Sequence, residues 1–257
     1  LKEVTLPEKI TPELASLFGY IIGDGSLHSK GYRVTCFIND EEKDLVAKLG
    51  SLWENTFDVK PSLIIREKEE EKTIDDGSGL LRKFISRQKM FVMEINSRQV
   101  AYSLSFLSNK IVPQEIFRSP ISVVSPFLSW LFEADGCAFG NGRGRTAIQL
   151  KSSTPGLLKD VQLLLLYFGI QSRIVGDNLC IRRAFDMEQF IKLIGFVSEK
   201  KKNKLKEVLS VINNRSEKQK RKQFQRWEKI SGIIQNGIMD VYDLEVPKSE
   251  RFIANGI

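Results

Sequence analysis

The stretch "LFGYIIGDG", residues 17–25, decides the fold. Leu17, Phe18, Tyr20, Ile21 and Ile22 leave almost no polar relief, so the segment reads as a buried helix. It closes on Asp24 and Gly25. Gly25 suits a left-handed helix stop. Asp24 is out of place, because the C-terminal end of a helix is electronegative and disfavours a carboxylate.

The anomaly recurs. "FLSWLFEADG", residues 127–136, repeats the pattern, with Leu128, Leu131 and Phe132 apolar, Ala134 small and Asp135-Gly136 closing the helix. The segments after the two copies also match. After Gly25, "SLHSKGYRVTCFIN" predicts two short strands with a turn near Ser29–Gly31, His28 falling at the turn. "DEEKDLVAKLGSLWENTF" (40–57) has helical spacing, "PSLIIRE" and "KMFVMEINS" read as strands, and a helix is expected over 97–107. After Gly136, "CAFGNGRGRTAIQLK" predicts two strands joined by a Gly/Arg-rich turn. "TPGLLKDVQLLLLYFG" (154–169) opens a helix with Thr154 as N-cap and Pro155 in its first turn. "IQSRIV" and "NLCIRR" pair about Gly176-Asp177, and helices are expected near 186–194 and 199–212.

Each half is therefore αββαββα, and the fold class is α+β with two pseudo-symmetric repeats. Repeat 1 spans 1–107, a linker with Pro113 and Pro120 spans 108–125, repeat 2 spans 126–212, and 213–257 form a basic linker and a tail. Residues 67–87 look inserted in repeat 1: "EKEEEKTIDDGSG" reads as a mobile loop and "LRKFISRQK" as a basic strand or arm.

Composition narrows the function classes. The 257 residues are 42% hydrophobic, enough for a real core, and carry a net charge of +7. Between Glu199 and Lys229 twelve Lys/Arg face four Asp/Glu, a surplus of eight, which leaves the rest near −1. A polyanionic partner is permitted but not required by charge alone. Cys36, Cys137 and Cys180 are odd in number and far apart, which suggests free thiols in a reducing compartment. The lone histidine, His28, excludes zinc sites needing two His and disfavours Ser-His-Asp or Cys-His chemistry. No apolar run or signal-peptide pattern points to a membrane or to secretion, so a cytoplasmic protein is expected.

The acids acquire a purpose if the two helices lie side by side with their ends level. Gly19 and Gly23, four apart, share a helix face and admit a second backbone. Asp24 and Asp135 would then meet among exposed carbonyls, an arrangement costly without a cation. A hard divalent ion with oxygen ligands meets the need, and Mg²⁺ tolerates few protein ligands. Such placement suggests metal-dependent phosphodiester chemistry.

Both stretches resemble the LAGLIDADG homing endonuclease motif, in the monomeric two-motif form of that family. Leu17, Gly19, Ile21, Asp24 and Gly25 match in the first copy, with Gly23 at the small position. Leu128, Leu131, Ala134, Asp135 and Gly136 match in the second, with Glu133 in place of the penultimate acid. One departure is Trp130, which stands where Gly19 stands and makes an asymmetric seam or a rotated helix the expectation.

The resemblance implies that Asp24 and Asp135 are catalytic metal ligands, with the carbonyls of Gly23 and Ala134 as helpers and Mg²⁺ or Mn²⁺ as cofactor. It also implies basic groups near the scissile phosphates. By place after the last helix of each repeat these are Lys110 and Lys200, with Lys201 or Lys202 as substitutes for the latter. Asn39 and Ser152 or Ser153 are candidates for water contacts. The implied partner is double-stranded DNA, lying on two four-stranded sheets whose exposed side chains read base edges. The candidates are Arg33, Thr35, Ser62, Ile64, Arg66, Arg87 and Lys89 in repeat 1, and Arg143, Arg145, Gln149, Lys151, Arg173 and Arg182 in repeat 2.

The implied activity is site-specific cutting of both strands of a long asymmetric site, across the minor groove, leaving short 3′ overhangs. An RNA maturase of the same fold and a DNA-binding regulator that has lost cleavage are the alternatives. The tail "VYDLEVPKSERFIANGI", residues 241–257, resembles the C-terminal splicing block of inteins. No terminal His-Asn pair and no N-terminal splicing nucleophile accompany it, so self-splicing is not expected. The chain reads as an endonuclease portion of an intein, or as a free-standing enzyme keeping an intein remnant.

Overall fold

The computed structural model describes residues 4, 6–28, 31–75, 81–140 and 146–213, with 232 and 237. Helix α1 (Pro12–Asp24) starts at Thr11, whose Oγ1 accepts from the Leu14 N–H at 3.2 Å. It leads into strands β1 (Gly25–Leu27) and β2 (Val34–Asn39), helix α2 (Lys43–Phe57), strands β3 (Ser62–Asp75) and β4 (Leu81–Ile95) and helix α3 (Arg98–Ser103). A 3₁₀ turn (Ser105–Asn109) and the short helix α4 (Gln114–Phe117) lead to helix α5 (Ile121–Asp135). The second half is β5 (Gly136–Gly140), β6 (Thr146–Lys151), α6 (Pro155–Leu166), β7 (Arg173–Val175), β8 (Asn178–Ile181), α7 (Ala184–Leu193) and α8 (Glu199–Asn213).

The fold is α+β. Its two antiparallel sheets have the same order, β1-β2-β4-β3 and β5-β6-β8-β7. Register confirms the correspondence: Gly25 pairs with Cys36, and Gly136 pairs with Leu150. Inward side chains such as Val34, Cys36, Ile38, Met93 and Ile95 join the helices in one core. Among the largest buried side chains are Trp53, Phe57, Phe127 and Phe132.

Helices α1 and α5 form the seam, and its closeness is one-sided. A Cβ on Gly19 would fall onto the Phe127 carbonyl oxygen and 2.9 Å from the Leu131 nitrogen. Trp130, at the matching place on α5, turns onto the edge of the Tyr20 ring, with centroids 5.7 Å apart. The seam is thus asymmetric: one helix supplies the gap and the other supplies the ring.

Several local expectations change. Gly25 is not a left-handed stop; it is extended, with φ −96° and ψ 156°. Glycine is needed there because a Cβ would sit 2.5 Å from both the Cα and the oxygen of Ile21 as the chain leaves the helix straight into β1. Thr154 precedes α6 without a side-chain capping bond. Helix α5 begins at Ile121, inside the stretch assigned to the linker.

Residues 67–75 are not a mobile loop but continue β3, paired with β4 from Glu67↔Lys89 to Asp75↔Leu81. Their acids face a basic strand: Lys89 lies 2.8 Å from Glu67 and Lys83 lies 3.5 Å from Glu71. Like charges that would disfavour an isolated strand become cross-strand pairs. Residues 29–30, 76–80 and 141–145, and the basic linker and intein-like tail beyond residue 213, lie outside the described residues apart from 232 and 237. No helix among the described residues is long and apolar enough to cross a membrane.

Candidate active site and nucleic-acid interface

The seam brings the misplaced acids together. A Cβ on Gly23 would overlap that of Ala134 and lie 3.4 Å from Asp135 Oδ2. The missing side chain therefore lets the end of α5, with its carboxylate, lie against the end of α1. Burial first, and then the Asp135 charge, push the Asp24 carboxyl up to about 6. Lys201 and Lys110 pull it the other way. Burial also raises the Asp135 carboxyl, with the same two lysines partly offsetting it.

Each acid has a lysine on the carbonyl just before it. Lys110 Nζ donates to the Gly23 oxygen at 3.1 Å. Lys110 reaches it from a left-handed backbone, φ 49°, that ends the 3₁₀ turn. In the second half the lysine is Lys201, which donates to the Glu133 oxygen and lies 3.5 Å from the Ala134 oxygen. Lys200, favoured by its place in the repeat, points elsewhere and pairs with Glu41 at 2.5 Å. The reason is helical phase: Lys200 and Lys201 lie about 100° apart on the first turn of α8, and only one can face the seam.

Two residues at the site escaped the sequence reading. Glu133 was legible only as a substituted motif position. Its Oε2 accepts from the backbone N–H groups of Val197 at 2.6 Å and Ser198 at 3.0 Å, where α8 begins. Glu42 is 7% exposed, and its carboxyl is raised chiefly by burial. Its only signal was an acid at the start of an amphipathic helix, which usually means a solvated one.

The donors suit a hard cation in part. Two desolvated carboxylates and the carbonyls of Gly23 and Ala134 are all oxygen ligands, the kind that Mg²⁺ takes. Among the described residues no group of three or more His, Cys, Asp or Glu could hold a metal. The pair would leave several coordination positions for water or phosphate oxygens.

The outer sheet faces collect most of the strand candidates. In repeat 1, Thr35 pairs with Glu94, which in turn pairs with Ser62, so Thr35, Ser62, Ile64 and Arg66 share one face. Arg33, just before β2, donates to Glu94 Oε1 at 2.9 Å, and Arg66 lies 4.0 Å from the same oxygen. Glu94, only 7% exposed, thus braces both arginines, and a single acid in "MFVMEIN" was its only sequence signal. Lys89 is corrected: register puts it on the opposite face from Arg66, paired with Glu67. The backbone of Arg87 pairs with Glu69, and its side chain lies outside the described residues.

In repeat 2, Gln149 and Lys151 alternate outward, and Arg173 pairs with Cys180 across the face. Gln149 Nε2 lies 3.1 Å and Arg182 Nη2 3.9 Å from Cys180 Sγ. Arg143 and Arg145 lie outside the described residues. Asn39 accepts from the Glu41 N–H and Ser152 from the Thr154 N–H, so both side chains serve local turns.

Comparison with known families agrees with this geometry. The LAGLIDADG-like domain family matches residues 122–222. That match begins in α5 and takes in the Asp135 half of the site.

The fold is that of LAGLIDADG endonucleases. The homing endonuclease I-WcaI bound to its DNA recognition sequence superposes with TM-score 0.53 at 14% identity, covering 77% of this chain and 88% of that one. Full-length DUF199/WhiA from Thermatoga maritima gives 0.52 at 17% identity, covering 82% and 63%.

Sequence relatives are of another kind. The chain is 26% identical over 226 residues to a glutamine–fructose-6-phosphate aminotransferase of Methanocaldococcus jannaschii, covering 80% of this chain and 18% of that protein. It is 26% identical over 175 residues to the ribonucleoside-diphosphate reductase NrdEB subunit alpha of Bacillus subtilis, covering 65% and 15%. It is 27% identical over 213 residues to a DNA polymerase of Thermococcus hydrothermalis, covering 75% and 13%. The chain therefore spans less than a fifth of the length of each of these relatives.

Proposed function

We propose that the protein is a site-specific endonuclease that cuts both strands of double-stranded DNA with Mg²⁺, or with Mn²⁺ in its place. The observation that carries this reading is the pair Asp24 and Asp135 at the closed end of the α1–α5 seam, each with a lysine on the preceding carbonyl. Asp24 and Asp135 would hold the metal, with the Gly23 and Ala134 carbonyls beside it. When bound there, Mg²⁺ would supply activation of water and stabilisation of the leaving oxygen. Lys110 and Lys201 offer cations where phosphate charge would gather. The outer sheet faces offer base readout from Arg33, Arg66, Gln149, Arg173 and Arg182.

The two faces differ in chemistry, an Arg–Glu–Arg cluster against a Gln–Cys–Arg one, so the target is asymmetric and one chain suffices as a monomer. We also infer an intein origin. An aminotransferase, a reductase subunit and a polymerase share no activity, yet each matches this chain over a segment of 13–18% of its own length. A segment common to unrelated proteins is what a mobile insert leaves, and the intein-like tail agrees with it.

A DNA-binding protein that does not cut is the second reading, because a fold shared at 14% and 17% identity with its solved neighbours does not carry an activity with it. The test is selection of cleaved ends from a randomised duplex library with Mg²⁺, beside an Asp24→Asn control. A long consensus cut only by the parent supports the nuclease. Sequences enriched by binding but cut by neither protein would replace it with the regulator, and the same protocol on RNA tests a maturase.

A further inference from the structure

We propose that Glu133 is a positioning residue that fixes Lys201 by fastening the start of α8, and that cleavage of one DNA strand depends on this device while cleavage of the other does not. The inference rests on the nuclease reading for its strand-specific part alone.

Glu133 is 1% exposed. Its carboxylate accepts the N–H groups of Val197 and Ser198, donors that would otherwise be orphaned at the entry to α8. Negative charge also suits that end of a helix. Ser198 in turn accepts from the Lys201 N–H at 3.3 Å through its hydroxyl and from the Lys202 N–H at 2.9 Å through its carbonyl. The tip of Lys201 then returns to the carbonyl of Glu133 itself. One residue thereby grips the lysine at both ends: its side chain fixes the helix that bears the lysine, and its main chain receives the ammonium.

Filling space does not explain this carboxylate. Its Oε1 is buried with no hydrogen-bond partner, and a buried charge so placed is costly. At the matching place on α1 stands Ile22, fully buried, so the seam accepts an apolar side chain there. Nor does the first half need such a grip. Lys110 is set by its own left-handed backbone, with its N–H donating to the Leu107 oxygen at 3.0 Å. The two lysines reach equivalent carbonyls by unlike supports, and only the second can be loosened through a glutamate.

The experiment uses supercoiled plasmid carrying the target, with each strand's cut read separately, on the full chain. Displacing Lys201 by an ångström is expected to slow its strand by about 100-fold. Glu133→Ala should therefore give nicked circles, uncut in the same strand that Lys201→Ala leaves uncut. The double variant should be no slower than Lys201→Ala. Glu133→Gln, which keeps an acceptor oxygen, should recover part of that strand's rate. Equal slowing of both strands, the opposite strand left uncut, or multiplying effects in the double variant would overturn the proposal.

Amide exchange over residues 197–202, measured without DNA, should quicken in both Glu133 variants while the Lys110 turn is unchanged. Unaltered exchange at 197–202 would also overturn it. A parent that cuts neither strand would count against the nuclease reading, and exchange then judges the grip on α8 by itself.

Discussion

Replacing Asp24 with asparagine should stabilise the metal-free protein at neutral pH, although it removes a proposed catalytic group. The Asp24 carboxyl is pushed from 3.8 to about 6, by burial first and then by Asp135. A folded-state value above the unfolded one means that ionisation opposes folding. The penalty is absent below the unfolded value, grows as pH rises towards about 6, and is complete above that. At about 1.4 kcal/mol per unit the shift corresponds to about 3 kcal/mol, which partial solvent access reduces to about 1–2 kcal/mol. Urea denaturation in EDTA at pH 7.5 should show Asp24→Asn more stable by that amount, and the gap should close by pH 4. Mg²⁺ should also narrow it, because a ligand of the native state stabilises only the parent. An asparagine variant no more stable than the parent, or a gap that persists at pH 4, would refute the electrostatic reasoning. A gap indifferent to Mg²⁺ would refute the cation.

The same contacts set other outcomes. Gly19→Ala places a Cβ against the Phe127 backbone, which cannot yield without parting the helices, and should cost about 3 kcal/mol in thermal unfolding. Gly156→Ala, which opens onto free space, is the control that should lose nothing. Lys201→Ala should lower the cleavage rate by about 100-fold, whereas Lys200→Ala, which breaks only an exposed pair with Glu41, should leave it unchanged. Calorimetric Mg²⁺ affinity should weaken as pH falls through about 6, because protons then compete for Asp24, and a flat profile would remove Asp24 from the ligand set.

Element order, the doubled motif and the meeting of Asp24 with Asp135 were legible because they rest on local pattern. Asp-Gly is a common turn pair, and what singles out Asp24 and Asp135 is its recurrence at the ends of two apolar helices, each followed by a ββαββ run that needs only periodicity. The features that escaped depend on register and phase. Arg66 and Lys89 are both basic strand residues, and only the pairing of Ser62 with Glu94 tells which faces outward. Lys200 and Lys201 are neighbours in "KKK", and only the anchoring of α8 by Glu133 selects one. The acidic run at 67–75 reads as a loop because its partners, Lys83 and Lys89, are distant in sequence and adjacent only in space.

The two halves agree where chemistry would require it and diverge where it does not. Both carboxylates end a buried helix, and both lysines rest on the carbonyls that precede them. Around that shared centre, Gly19 answers Trp130, Ile22 answers Glu133, and a left-handed turn answers a capped helix. A chain with two copies in one polypeptide is under no symmetry constraint, so each copy can reach the same arrangement of charge by its own packing. The outer faces carry this further: Glu94 braces Arg33 and Arg66 in one sheet, while its counterpart in register, Cys180, takes a weak bond from Gln149 in the other. A braced arginine pair presents its remaining N–H donors in a fixed direction, as guanine edges demand, and Gln149 suits adenine. The differences between the halves are therefore where specificity for an unsymmetrical duplex would reside, and their common centre is where a single reaction would be repeated on each strand.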